Sequence, residues 1–296
     1  MFFNFQFLIN ILICILSTLF FTRNVKNFLK ETLIIQNQLG VDASFDFITG
    51  REFTMQKTNK IANKTQENKK QSIVVETKIE EKIPDNSTKS TENIVKQVVN
   101  TNLDNIKTFE ELCEEIKNFN GCDLKRHCTN SVIFDGNSEA KIMIIGEAPG
   151  ETEDMEGKPF CGKSGQLLRK ALSFIGITTA NALISNVVFW RPPMNRTPND
   201  DEVKLCLPFV KKMIEIVKPE AILLCGSTAT NALLNNKQPI SKIVGSTHQI
   251  DIDNNTKNIA IPLYHPSYLL RVPSIKKDFW KHLLIVKQLL TEKHLI

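Results

Sequence analysis

The sequence predicts an α/β domain in its C-terminal two-thirds, with a mostly parallel sheet covered by helices on both faces. Three observations carry that prediction. From about residue 140 short apolar runs recur, namely KIMIIG (141–146), LISNVVF (183–189), AILLCG (221–226) and IAIPLYH (259–265). Segments of helical period lie between and after them, in SGQLLRKALSFIGI (164–177) and at roughly 201–217, 227–235 and 277–293. Strands buried on both faces read as near-continuous apolar runs, and their alternation with helices marks parallel pairing. Finally, polar motifs leave three of the four runs at one end, where such sheets bind their ligands.

Taken from the N-terminus, the chain changes character twice. Residues 2–22 carry no charge and are rich in Phe, Leu and Ile, about the length of a membrane-spanning helix. Two readings fit residues 1–22: a membrane anchor, or an upstream extension of the reading frame past its true start. No positive segment precedes the run and no small-residue cleavage site follows it, which argues against a cleaved signal peptide. Arg23, Lys26 and Lys30 just after it would hold the rest of an anchored chain in the cytoplasm. Residues 23–50 form a short N-terminal extension. Residues 51–107, rich in Lys, Asn, Thr, Glu and Gln with one Phe and no Trp or Tyr, bury too little apolar surface to offset the entropy of ordering. A disordered linker is expected there, and a folded domain over 108–296. Thr108 caps its first helix, with Glu111 at the third helical position.

Charge and cysteine content narrow the classes. The net charge is +5, but residues 108–296 hold 23 basic and 21 acidic side chains, so bulk charge does not demand a polyanionic partner. The seven cysteines (Cys14, Cys113, Cys122, Cys128, Cys161, Cys206, Cys225) are odd in number and contain no C-x-x-C pair, which indicates a reducing compartment. Cys225 lies inside an apolar run and reads as core. GEAPG is not a dinucleotide fingerprint, and a generic nucleotide-binding domain ranks last among the readings.

The motifs at the strand ends are GEAPGETEDMEGKPF (146–160), Asn186 followed by RPPMNRTP (191–198), and HPSYLLR (265–271). Together they resemble the family 4 uracil-DNA glycosylases over about residues 108–290. The resemblance implies a three-layer α/β/α sandwich around a four-stranded parallel sheet, in agreement with the four apolar runs. It also implies excision of uracil flipped out of DNA, a step whose unstacking cost is repaid in a snug pocket. On this reading Phe160 stacks on the base. Asn186 accepts from uracil N3–H and donates to O4, a pattern that cytosine reverses. His265 stabilises the charge that develops on O2. Gly146, Glu147 and Ala148 form the base- and water-binding turn, with Glu147 placing the water or steadying the cationic sugar and Glu153 crowding the methyl of thymine. Pro192 and Pro193 stiffen a wedge that presents Asn195 and Arg196 to DNA, and Ser267 and Arg271 are candidates for phosphate contact and strand intrusion. Lys276, Lys277 and Lys281 extend a positive patch.

The sequence also departs from that family. Family members as a rule hold a four-iron four-sulfur cluster on four cysteines. Here Cys122 and Cys206 stand at two of those positions, while Phe119 and Trp190 occupy the others. Two thiolates do not make an ordinary cluster site, so none is expected. Val244-Gly245 stands where Arg-Gly is usual, and RPPMNRTP lacks the histidine of a related branch that traps uracil covalently. The expected partners are uracil-containing DNA and the repair enzymes that act on abasic sites. The expected state is a monomer in the cytoplasm, touching a membrane only through residues 1–22. The competing reading is a catalytically weak sensor of uracil in DNA on the same fold.

Overall fold

Helix formation in the folded domain begins where the local chemistry directs it. Thr108 accepts from the Glu111 amide while Glu111 accepts from the Thr108 amide, a reciprocal cap that starts helix α1 (Phe109–Asn118). In this computed structural model residues 45–46, 51–52, 103–236, 238–251 and 257–296 are described, in two units spanning 1–86 and 87–296. In the first unit Phe45–Asp46 pairs antiparallel with Arg51–Glu52. The expectations for residues 1–22 and for a linker over 53–102 lie outside the described residues. Leu103 and Ile106, just before the cap, are buried in the domain core. Among the described residues no helix is long and apolar enough to cross a membrane.

The second unit is a six-stranded mixed sheet of β1 (Phe134–Gly136), β2 (Ile142–Gly146), β3 (Ala182–Asn186), β4 (Ala221–Cys225), β5 (His248–Asp251) and β6 (Lys257–Leu263). Their spatial order is β1-β3-β2-β4-β6-β5. The four predicted strands are the central four and run parallel. To the expected four the structure adds β1 and β5, short antiparallel edges. The side chains of the central strands alternate between two cores. Met143, Ile145, Leu183, Ile222, Leu224 and Ala260 join one apolar cluster with α1, α4 (Asp200–Val217) and α5 (Ser227–Leu234). The alternate positions, including Ile144, Leu223 and Ile261, are equally buried and face the other way. The remaining long helices, α3 (Lys163–Phe174) and α8 (Lys276–Glu292), pack against each other there, and short α7 (Pro266–Arg271) packs on α3. The chain leaves β2 for β3 on one side, then crosses to β4 on the other, which opens a crevice at the carboxyl ends of these strands.

Candidate active site

The crevice is a cavity of about 570 Å³ lined from every strand end that borders it. In register, Gly146 closing β2 lies opposite Asn186 closing β3. The ladder continues one step beyond, with Val187 N–H donating to Gly146 O and Val188 N–H to Glu147 O, each at 3.0 Å. A β-carbon on Gly146 would overlap both Asn186 Oδ1 and the Phe160 ring, so only glycine lets the ring and the amide meet over this strand end. Asn186 is 2% exposed, and among the described residues its side-chain amide has no hydrogen-bond partner. A recessed amide that opens onto a cavity is placed to bond a polar ligand.

Phe160 faces this amide from a strained turn. Its φ of 54° lies in the left-handed region, which a phenylalanine rarely enters. Arg169 of α3 holds it there, with Nε donating to Phe160 O at 2.8 Å and Nη2 to Pro159 O at 2.7 Å. The same Nη2 pairs with Asp135 Oδ2 of β1 at 2.6 Å, which anchors the clamp to the edge of the sheet. Gly165 completes the fit, because a β-carbon at that point would run into the Phe160 backbone.

Across the cavity the Phe160 ring meets the imidazole of His265, with centroids 6.2 Å apart. His265 is the N-cap of α7, and its Nδ1 accepts from Ser267 N–H at 3.3 Å and lies 2.8 Å from Ser267 Oγ. Arg271 Nη1 donates to that same Oγ at 3.1 Å, which leaves the hydroxyl proton for His265 Nδ1. With Nδ1 accepting, the neutral ring carries its proton on Nε2, the nitrogen left for a ligand. Burial, and then the Arg271 guanidinium, push the His265 pKa down to about 4. The ring is therefore a neutral donor across the physiological range.

Two carboxylates complete the floor. Glu147 Oε2 accepts from Thr228 Oγ1 at 2.6 Å, a bond that joins the β2 turn to the start of α5. Glu153, on α2 (Glu151–Glu156), is buried, and its Oε1 accepts from Gly162 N–H at 2.8 Å. Its other oxygen lies where a β-carbon on Gly150 would come within 2.8 Å, so this carboxylate also ties two turns of the cavity wall together.

The structure gathers most of the predicted site around this one cavity. Glu147, Ala148, Glu153, Phe160, Asn186, Asn195, Arg196, His265, Ser267 and Arg271 line it, and Gly146 lies beneath the ring and the amide. Pro192 and Pro193 do not reach it; Pro192 is buried behind the loop and Pro193 is exposed. Arg196 is engaged within the protein, forked onto Glu202 at 2.8 and 2.6 Å, and Asn195 Oδ1 accepts from Arg191 Nε at 2.8 Å. Sequence reasoning missed Tyr264, Tyr268 and Gly226 in the lining, and also Thr228 and Arg169 behind it.

Comparison with known proteins meets this geometry. A sequence profile of the uracil DNA glycosylase superfamily matches residues 133–285. The chain is 39% identical over 179 residues to the type-4 uracil-DNA glycosylase of Pyrobaculum aerophilum, covering 59% of this chain and 91% of that protein. It is 37% identical over 187 residues to the type-4 enzyme of Saccharolobus solfataricus, covering 62% and 86%. With the Thermotoga maritima type-4 enzyme the identity is 40% over 164 residues, covering 55% and 83%. The chain belongs to the type-4 uracil-DNA glycosylases.

Against that family the region of Phe119, Cys122, Trp190 and Cys206 needs a separate account. The four positions do converge. The Phe119 ring lies 6.1 Å from Trp190 and 5.1 Å from Phe209, and Trp190 is 5.9 Å edge-on from Phe189. Trp190 is fully buried and donates from Nε1 to Ser131 Oγ at 2.9 Å. The buried thiols of Cys122 and Cys206 touch each other: burial first, and then donation to Cys122, hold the Cys206 thiol well above its ordinary pKa. Among the described residues no group of three or more His, Cys, Asp or Glu side chains is placed to hold a metal ion. Two carbon rings and two adjacent thiols do not fit the four-cysteine cluster of this glycosylase family.

Proposed function

We propose that this protein hydrolyses the N-glycosidic bond of uracil in DNA, releasing the base and leaving an abasic site for later repair enzymes. The observation that carries the proposal is the recessed Asn186 amide, which opens onto the cavity and faces the Phe160 ring across Gly146. Uracil supplies what it lacks: N3–H donates to Oδ1 and O4 accepts from Nδ2. Cytosine offers a bare N3 and an amino group to the same two atoms, leaving both unpaired in a buried site, which is how such a pocket discriminates strongly.

The chemistry follows from charge. As the C1′–N1 bond breaks, its electron pair moves onto the uracil ring, mostly toward O2 and O4, and the sugar becomes cationic. His265 Nε2–H donates to O2 as that charge grows. A neutral donor, set in place by Ser267 and Arg271, stabilises the anion with no proton to lose first. Glu147, held by Thr228, faces the cationic sugar and orients the water that adds at C1′. The water oxygen keeps the new bond to C1′ and its proton passes to solvent or to the departing base. Glu153 narrows the wall where thymine would place its methyl. Ala148 and Gly146 supply backbone to the same turn. Pro192 and Pro193 brace the loop that offers Asn195 and Arg196 to DNA, and Ser267 and Arg271 meet the phosphates.

The protein works without an iron–sulfur cluster, with the ring packing of Phe119 and Trp190 in its place. It acts as a monomer on DNA in the cytoplasm. The test is incubation of the purified full-length chain, in detergent on account of residues 2–22, with a labelled oligonucleotide carrying one uracil, followed by alkali. Strand cleavage at uracil alone, abolished in His265→Ala and Asn186→Asp, is the expected result. Uracil-dependent binding without cleavage would instead make the protein a sensor.

A further inference from the structure

The most exposed large apolar side chain among the described residues is Met194, 96% exposed at the tip of the loop between β3 and α4. Its backbone is strained, with φ at 55°, and Asn195 follows at 54°. Neither is glycine, and a methionine rarely adopts the left-handed conformation. The loop is braced to keep them. Arg191 donates to Asn195 Oδ1, Asn195 N–H to Pro192 O at 3.1 Å, and Arg196 N–H to Pro193 O at 3.2 Å. Arg191 also lies 3.7 Å from Glu151 at the start of α2. A fold that spends its bracing on holding an uncovered methionine outward recovers nothing from that side chain within itself. Asn195, Arg196 and Thr197, the next three residues, form the rim of the base cavity.

We propose that Met194 is the wedge that enters the base stack of duplex DNA as the uracil leaves it, an inference that rests on the glycosylase reading above. Unbranched apolar side chains, methionine among them, are used in this way to part a base step, and the contact offsets the unstacking that flipping requires. The rigid turn sets the side chain beside the cavity, so one docking geometry places the nucleotide in the pocket and the thioether in the gap. Single-stranded DNA is unpaired and only weakly stacked, so it needs the wedge far less.

The test compares kcat/KM on a uracil-containing duplex and on the same strand alone, for the full-length chain and for Met194→Gly, Met194→Leu and Leu270→Ala. Glycine removes the side chain and suits the backbone, so folding is kept and the melting temperature holds or rises. Met194→Gly is expected to lose about tenfold on duplex and under about twofold on single strand, with Met194→Leu close to wild type on both. A duplex with 2-aminopurine beside a non-hydrolysable 2′-fluorinated uracil nucleotide reads unstacking directly: binding of wild type raises the fluorescence, and binding of Met194→Gly does not. Equal losses on both substrates, no loss, or a duplex-selective loss in Leu270→Ala alone would overturn the wedge. If the wild-type chain cleaves neither substrate, the glycosylase reading fails and the wedge with it.

Discussion

Replacing Arg169 with methionine isolates the clamp that holds Phe160 in its left-handed turn. Methionine keeps the stem that packs along α3 and removes three contacts, to Phe160 O, Pro159 O and Asp135 Oδ2. Bonds from a charged donor contribute about 1.5–3 kcal/mol each when buried. Here the Arg169 and Asp135 side chains are 26% and 24% exposed, so water replaces part of each bond, and a total of about 3 kcal/mol is expected. For a folded unit of this size that lowers the melting temperature by roughly 6–12 °C. The functional consequence is separate. The backbone strain at φ 54° is of order 1–3 kcal/mol, and without the clamp the turn relaxes and the ring leaves the base slot for most of the time. An affinity that depends on the fraction of molecules with the ring in place then falls about tenfold for every 1.4 kcal/mol of relaxation. Steady-state kinetics on a uracil oligonucleotide, run beside thermal melts, should show KM raised about tenfold with kcat changed much less. Arg169→Lys keeps the charge but not the fork, and should fall between the two. A lowered melting temperature with KM unchanged would refute the reasoning, because the turn would then be holding itself.

Other expectations follow from the same geometry. Because the folded state holds His265 near pKa 4 against an ordinary 6.5, the unfolded chain binds more protons between those values. The residue's contribution is thus fully present above about pH 6.5 and is lost as pH falls toward 4, of order 3 kcal/mol in denaturant titrations. The excision rate should stay level from pH 8 to about 5; a loss on acidification centred near 6.5 would mean that the ring takes up its proton there and is not held neutral by the fold. Thr228→Val, nearly isosteric, removes the 2.6 Å bond to Glu147 and should lower kcat about tenfold with KM little changed, and an unaltered kcat would show that Glu147 positions itself. Trp190→Ala opens a cavity in a fully buried aromatic packing and should cost about 3–5 kcal/mol. The paired Phe119→Cys and Trp190→Cys variant, given iron and sulfide, should take up brown colour where the wild-type chain takes up none, and colour in the wild type would sink the cluster-free proposal.

The parts of this fold that were legible in the sequence are those fixed by burial on two sides. The four central strands show as continuous apolar runs because helices cover both faces. β1 and β5 were not legible, since Phe134–Gly136 is three residues long and only half-buried and HQID carries one apolar side chain. The motif residues at the strand ends were found because parallel topology brings every carboxyl end to one rim. Thr228 and Arg169 escaped for the opposite reason. Each acts through a partner distant in the chain: Thr228 is 81 residues from Glu147, and Arg169 is 34 from Asp135. In a helical segment such side chains read as solvated. The pairing of Arg196 with Glu202 had a local signal, because Glu202 also closes the capping box of Asn199 at the start of α4.

On the proposed reading, the base atoms that the cavity recognises (N3 and O4 by Asn186, the ring face by Phe160, O2 by His265) all remain in the free base after cleavage. The product thus keeps every contact that selected the substrate and loses only its tether to DNA. Free uracil is then a competitive occupant of the slot, and the enzyme's turnover is set in part by how quickly a base so well matched to the Asn186 amide can depart.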